Sequence, residues 1–216
     1  MKNRNKNMLF TGVSLLILFV IWTILVCFVD VKPIGPRGSS VGFASLNGYV
    51  HSLTGVNISL YTLTDWLGLV PIAVAFVFAI IGFAEWIKRK SLCKVDRSLI
   101  LLGGFYIVVM AVYILFEFVV INYRPVLINE YLEPSYPSST TMLAMCVMPT
   151  AIMQLGTRIK NIVIKRCVVC AILAFTAFMV IGRLICGVHW LSDIIGGALF
   201  SAGLVTVYHS ISGEKN

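Results

Sequence analysis

The chain has 216 residues, of which 59% are hydrophobic and only 12% charged, about half the charged share of a typical soluble domain. Its apolar residues fall in long blocks near the roughly 20 residues that cross a bilayer, which excludes a soluble protein and predicts an all-α, polytopic membrane bundle forming a single domain over residues 1–216. The net charge of +8 would suit nucleic acid in a soluble chain, but its distribution assigns it to the membrane surface and excludes that partner.

The chain opens with "MKNRNKN" and the apolar run "MLFTGVSLLILFVIWTILVCFV". The run is longer than the core of a secretory signal, and no small-x-small cleavage site follows. It reads as an uncleaved first helix over 8–28. A long connector, 29–66, follows. It is turn-rich at first ("DVKPIGPRGSS") and then apolar enough to lie in the membrane interface, where Tyr61 and Trp66 suit the headgroup level. "NIS" at 57–59 matches a glycosylation acceptor, a short pattern that is often fortuitous.

Five further spanning helices are predicted over 67–87, 99–121, 138–156, 163–182 and 190–209. Pro149 and the basic connector "RIKNIVIKR" blur the ends of the fourth and fifth. "CVVC", 167–170, lies in an apolar segment with no second pair and no nearby histidine, so these cysteines read as small helix residues.

Lysines and arginines fix the orientation. With the N-terminus in the cytoplasm, the inner side holds thirteen of the seventeen: Lys2, Arg4 and Lys6; Lys88, Arg89, Lys90, Lys94 and Arg97; Arg158, Lys160, Lys165 and Arg166; and Lys215. Only Lys32, Arg37, Arg124 and Arg183 fall outside. Both termini are therefore expected in the cytoplasm, and the basic side contacts anionic headgroups.

Ionisable residues at membrane helices raise functional hypotheses, and four cluster on the outer side. In "GRLICGVHWLSD", 182–193, His189 and Asp193 are four apart and would share a helix face. Asp193 could then fix the tautomer of His189 and leave its other nitrogen free to attack. Arg183, one short loop before them, and Arg124, from another loop, make an anion clamp. Pro137, Ser138 and Ser139 open the fourth helix, whose free N–H groups would face a phosphate. Each element has a plainer reading, with the arginines snorkelling, an interfacial His–Asp pair and an ordinary helix start; all three on one membrane side is much less expected by accident.

Together these residues resemble the type 2 phosphatidic acid phosphatase family, which shares its fold core with vanadium haloperoxidases. Its first motif is Lys, six residues, Arg-Pro; "EFVVINYRP" keeps Arg124 and Pro125, with Glu117 at the Lys position. Its second is Pro-Ser-Gly/Ser-His; "PSST" keeps Pro137, Ser138 and Ser139, with Thr140 for His. Its third is Ser-Arg, five residues, His, three residues, Asp; this chain keeps Arg183, Gly187, His189 and Asp193, with Gly182 for Ser.

The resemblance implies a membrane lipid phosphatase acting at the outer face on a lipid phosphate or diphosphate, without metal or cofactor. His189 would be the nucleophile that forms a phosphohistidine, and Asp193 its orienter. Arg124, Arg183, Ser138, Ser139 and Thr140 would hold phosphate. Glu117 reverses a charge that usually holds phosphate and, on a continuous helix, would sit two turns, about 10 Å, below Arg124. Thr140 is a poor general acid, and that role is worth about 10²–10⁴-fold, so diphosphates, whose leaving group needs no proton, should be preferred. His51, Glu130, Glu133 and Tyr136 are candidate replacement acids, whereas His209 lies on the wrong side. Two rivals remain: a lipid-phosphate binder without turnover, and a lipid or solute carrier.

Overall fold

The computed structural model describes residues 2–212; Lys215, counted on the inner side, lies outside the described residues. Helices α1 (Lys2–Phe28), α2 (Ala44–Thr54), α3 (Ile58–Leu67), α4 (Leu69–Arg89), α5 (Arg97–Phe118), α6 (Ser139–Arg158), α7 (Ile162–Ile185) and α8 (Leu191–Ser212) follow in order. Among the described residues there are no strands, only isolated bridges such as Tyr123 with Pro134. Among the described residues six helical runs are long and apolar enough to cross a membrane: α1, α3 with α4, α5, α6, α7 and α8. Their flanks expose large apolar side chains such as Phe10, Phe76, Ile107 and Phe118, as lipid-facing surfaces must. The chain is an integral, multi-pass membrane protein.

Polar caps set where the helices start. The side chains of Asn57, Asp96, Ser138 and Asn161 each accept from a free N–H in the first turn of α3, α5, α6 and α7. The connector at 29–66 resolves into α2 and α3, and α3 runs into α4 through Gly68, which keeps helical dihedrals.

Most predicted boundaries shift by a few residues and the second span starts earlier, at Ile58; three of the shifts bear on the site. The third span ends at Phe118 rather than 121, because Asn122 leaves the helix to bond Ser135 and Gly42 across the loop. The fifth span runs on to Ile185 and so carries Arg183 inside it. The sixth begins at Leu191, which leaves His189 in the preceding turn. His189 and Asp193 therefore do not share one helix face.

At the centre, α6 packs against α4, α5, α7 and α8, while α1 lies along α8. The α1–α8 seam is close because it uses glycine: a Cβ at Gly12 would lie 3.0 Å from the Gly203 carbonyl oxygen, the kind of small-residue approach that membrane helices favour. Phe19, Phe116, Tyr136 and Phe200 form an aromatic cluster under the loop that precedes α6. One end of the bundle gathers the ends of α1, α5 and α7 and the starts of α6 and α8. The other carries the basic connectors around Arg89, Lys94 and Arg158.

Candidate active site

The turn between α7 and α8 holds His189 at the end of the bundle away from the basic connectors. Gly187 makes the turn with φ +69. The next residues are then locked: the Trp190 indole donates to the Tyr123 carbonyl at 2.7 Å, and the Trp190 N–H donates to Asp193 Oδ2 at 2.9 Å. His189 is left 3% exposed.

Its two ring nitrogens have opposite partners. Nε2 lies 3.2 Å from Arg124 Nη1 and 3.3 Å from Arg183 Nη2. Guanidinium groups only donate, so Nε2 accepts and carries no proton. Nδ1 lies 3.2 Å from the Ser135 carbonyl oxygen, which only accepts, so the proton sits there. Burial first, then the charges of Arg124 and Arg183, push the imidazole well below its ordinary value of 6.5, against the pull of the Ser135 carbonyl.

Asp193 stands behind this pair. Its Oδ2 is 3.8 Å from His189 Nδ1, beyond hydrogen-bond reach, so the partner nearest Nδ1 is the Ser135 carbonyl. The carboxylate, fully buried, instead gathers Asn122 Nδ2 at 3.1 Å, Ser192 Oγ at 3.4 Å and the Trp190 N–H. It ties the start of α8 to the loop after α5.

The arginines are held from outside by carboxylates. Arg124 Nε meets Glu133 Oε2 at 2.9 Å. Arg183 Nη1 meets Asp65 Oδ1 at 3.6 Å and donates to Thr64 Oγ1 at 3.4 Å, and its guanidinium lies 5.0 Å from the Tyr61 ring centroid. At 1% exposure, Arg183 does not snorkel to headgroups. Its Nε, buried, has no hydrogen-bond partner.

The start of α6 is built tightly. Ser138 is fully buried; its N–H donates to the Asp193 carbonyl at 3.1 Å and its Oγ accepts from the Thr141 N–H at 3.4 Å. The N–H groups of Ser139 and Thr140 are then the orphans of the first turn. Ser139 is half-buried and Thr140 buried. The Thr140 methyl faces the α3–α4 junction, 3.6 Å from where a Cβ at Gly68 would lie. Ser139, Ser135, Tyr136, His189 and Glu117 line a cavity of about 10 Å³, about enough for one water. Because α5 ends at Phe118, Glu117 sits in its final turn beside this cavity, not two turns below Arg124 along one helix.

Of the other candidates, His51 Nε2 donates to the Gly187 carbonyl at 3.2 Å, and its ring packs on Trp190, a positioning arrangement. Glu130 offers only its backbone carbonyl, to Arg37. Tyr136 has its hydroxyl 2.7 Å from Thr23 Oγ1. His209 lies in the last turn of α8, at the other end. The residues not anticipated are Ser135, Asn122, Thr64 and Asp65. Asn122 carried a signal, as the lone amide in the apolar run "FVVINY".

Two outcomes follow from these contacts. Below about pH 6.5 the unfolded chain protonates His189 while the folded site still holds it neutral. At this group the unfolded state then binds more protons, so the contribution of His189 to stability falls as pH drops below 6.5, and melting temperature in detergent should lose less on going from pH 7 to pH 6 in His189→Gln than in wild type. Asn122→Ala removes a donor from buried Asp193 and an acceptor from the Gly42 N–H at 3.3 Å; it should cost about 1–3 kcal/mol in unfolding measurements.

A family model described as the PAP2 superfamily matches residues 99–216, the stretch from α5 onward that holds Arg124, Ser138, Ser139, Thr140, Arg183, His189 and Asp193. No curated protein matches the chain. Among solved structures, the crystal structure of the first transmembrane PAP2 type phosphatidylglycerolphosphate phosphatase from Bacillus subtilis is similar, with a TM-score of 0.62 at 18% identity over 95% of this chain and 97% of that one. At that identity the likeness is one of fold.

Proposed function

The chain belongs to the PAP2 superfamily, and from that premise we propose that it is a membrane lipid phosphatase working through a phosphohistidine on His189, with residues 1–216 acting as one domain. The observation that carries this reading is the unprotonated Nε2 of His189, buried between two guanidinium groups. A neutral imidazole with its lone pair aimed at an anion clamp is a nucleophile ready for phosphorus.

A lipid phosphate displaces the contacts that the arginines make in its absence. Arg124 and Arg183 turn their donors onto the phosphoryl oxygens, and the orphan N–H groups of Ser139 and Thr140, at the positive end of α6, add to them. Ser138 acts by capping that helix. Nε2 attacks phosphorus, the P–O bond to the lipid breaks, and the Nδ1–H donated to the Ser135 carbonyl steadies the cationic ring. Asp193 holds the turn that presents His189. Water then cleaves the P–N bond and frees phosphate. The excess of Lys and Arg at the opposite end of the bundle supports a site on the outer face with both termini in the cytoplasm, and a lipid that enters sideways from the outer leaflet.

Thr140 and Glu117 favour one alternative, a pocket that holds a lipid phosphate without cleaving it. Phosphate release by the purified protein across lipid mono- and diphosphates decides. Release from any of them supports the phosphatase; binding with no release from all of them leaves the binder.

A further inference from the structure

A phosphohistidine cycle needs a group that gives a proton to the leaving oxygen and later takes one from water. Thr140 offers only a hydroxyl. Asp65 and Glu133 lie near the arginines but are committed to them, at 3.6 and 2.9 Å. Glu117 differs on both counts. It forms no ion pair among the described residues, its carboxyl shares a side-chain hydrogen bond with the Tyr113 hydroxyl instead, and it lines the water-sized cavity that His189 and Ser139 also line. It is also exposed, in the last turn of α5.

We propose that Glu117 is the general acid–base of this site, a role that rests on the phosphatase reading above. In the first half-reaction the Nε2 lone pair of His189 forms a bond to phosphorus. The P–O bond to the lipid breaks, and Glu117 gives its proton to the departing oxygen, releasing an alcohol. In the second half-reaction the Glu117 carboxylate takes a proton from the water in the cavity. The water oxygen bonds to phosphorus, the P–N bond breaks with its electron pair returning to Nε2, and phosphate leaves. His189 is again neutral and Glu117 again protonated. The charge reversal at the start of the first motif and the loss of histidine from the second thereby become one exchange: the acid–base group has moved from α6 to the end of α5.

The preference for diphosphates expected from Thr140 alone should then appear only once Glu117 is removed. The test compares wild type, Glu117→Gln and Glu117→Gln/Thr140→His, purified as full chains in detergent, on an alkyl monophosphate and the matched alkyl diphosphate. Glu117→Gln should lower kcat on the monophosphate by about 10²–10⁴-fold and on the diphosphate by clearly less, with melting temperature unchanged. Thr140→His in that background should restore part of the monophosphate rate. Glu117→Gln at the wild-type monophosphate rate would overturn the assignment while leaving the phosphatase reading intact, and so would equal losses on both lipids. No release by wild type from either lipid would sink both. Should Glu117→Gln not fold, Glu117→Ala carries the same comparison, and loss in it of a pH limb that wild type shows on the monophosphate is the expected sign.

Discussion

His189→Ala should abolish phosphate release, lowering it on the order of 10⁴-fold or more on every lipid that wild type cleaves. The reason is specific to this pocket. Nε2 is the acceptor for both Arg124 and Arg183, and alanine leaves the clamp without the atom it surrounds. Binding should respond differently from turnover. The arginines keep their outer partners, Glu133 and Asp65, so they stay in place and still hold phosphate. A binding assay with a non-cleaved lipid phosphate analogue should therefore find affinity changed far less than rate. Radiolabelled phosphate trapped on the protein at low temperature should appear with wild type and be absent with the variant. Full release by His189→Ala would mean that another nucleophile does the work.

Gly187→Ala should be the most damaging change outside the reacting groups. Gly187 has φ +69, which a side chain rarely adopts. A Cβ there would also lie 1.8 Å from the Gly55 carbonyl oxygen, at the end of α2. Backbone cannot step aside as a side-chain tip does, so the turn must move. Two residues further on stands His189, and a displacement of about 1 Å is enough to cost on the order of 10²-fold in rate. The expected result is a stability loss on the order of 3 kcal/mol in detergent unfolding, with kcat falling alongside it. Gly38→Ala is the control. It has φ +74 but open space around it, so it should show only the conformational cost of about 1–2 kcal/mol and leave kcat untouched. Equal effects at the two glycines would show that the contact with Gly55 does not matter.

The six spans were legible because bilayer thickness writes itself into apolar length. The convergence of Arg124, Arg183 and His189 was legible for the same reason: topology brings those segments to one end of the bundle. What periodicity could not supply was where a helix stops when a side chain bonds across a loop. Asn122 ends α5 in that way, and Glu117 thereby changes from a residue two turns below Arg124 on one helix to one in the last turn of α5. Nor could spacing foresee that a backbone carbonyl, that of Ser135, would take the imidazole proton in place of Asp193. Carbonyls are present at every position and leave no mark in a sequence. The pairing of Arg183 with Asp65 joins residues 118 positions apart, set only by how α3 rests on α7.

The enclosed position of α6 bears on how the protein is made. It is the least apolar of the six spans and the only one with more than half of its apolar window buried. Thr150 and Gln154 are buried among its neighbours, bonded to the Cys146 and Val147 carbonyls and to the Tyr208 hydroxyl, and lipid would offer Gln154 no such partner. Such a segment gains little by entering the bilayer alone. Its place is secured by α4 and α5, already emerged, and by α7 and α8, which are synthesised after it. A nascent chain truncated just after Arg158 should therefore leave α6 only partly inserted, and extension through α8 should complete it, so the end of α6 that meets His189 takes shape among the last steps of biogenesis.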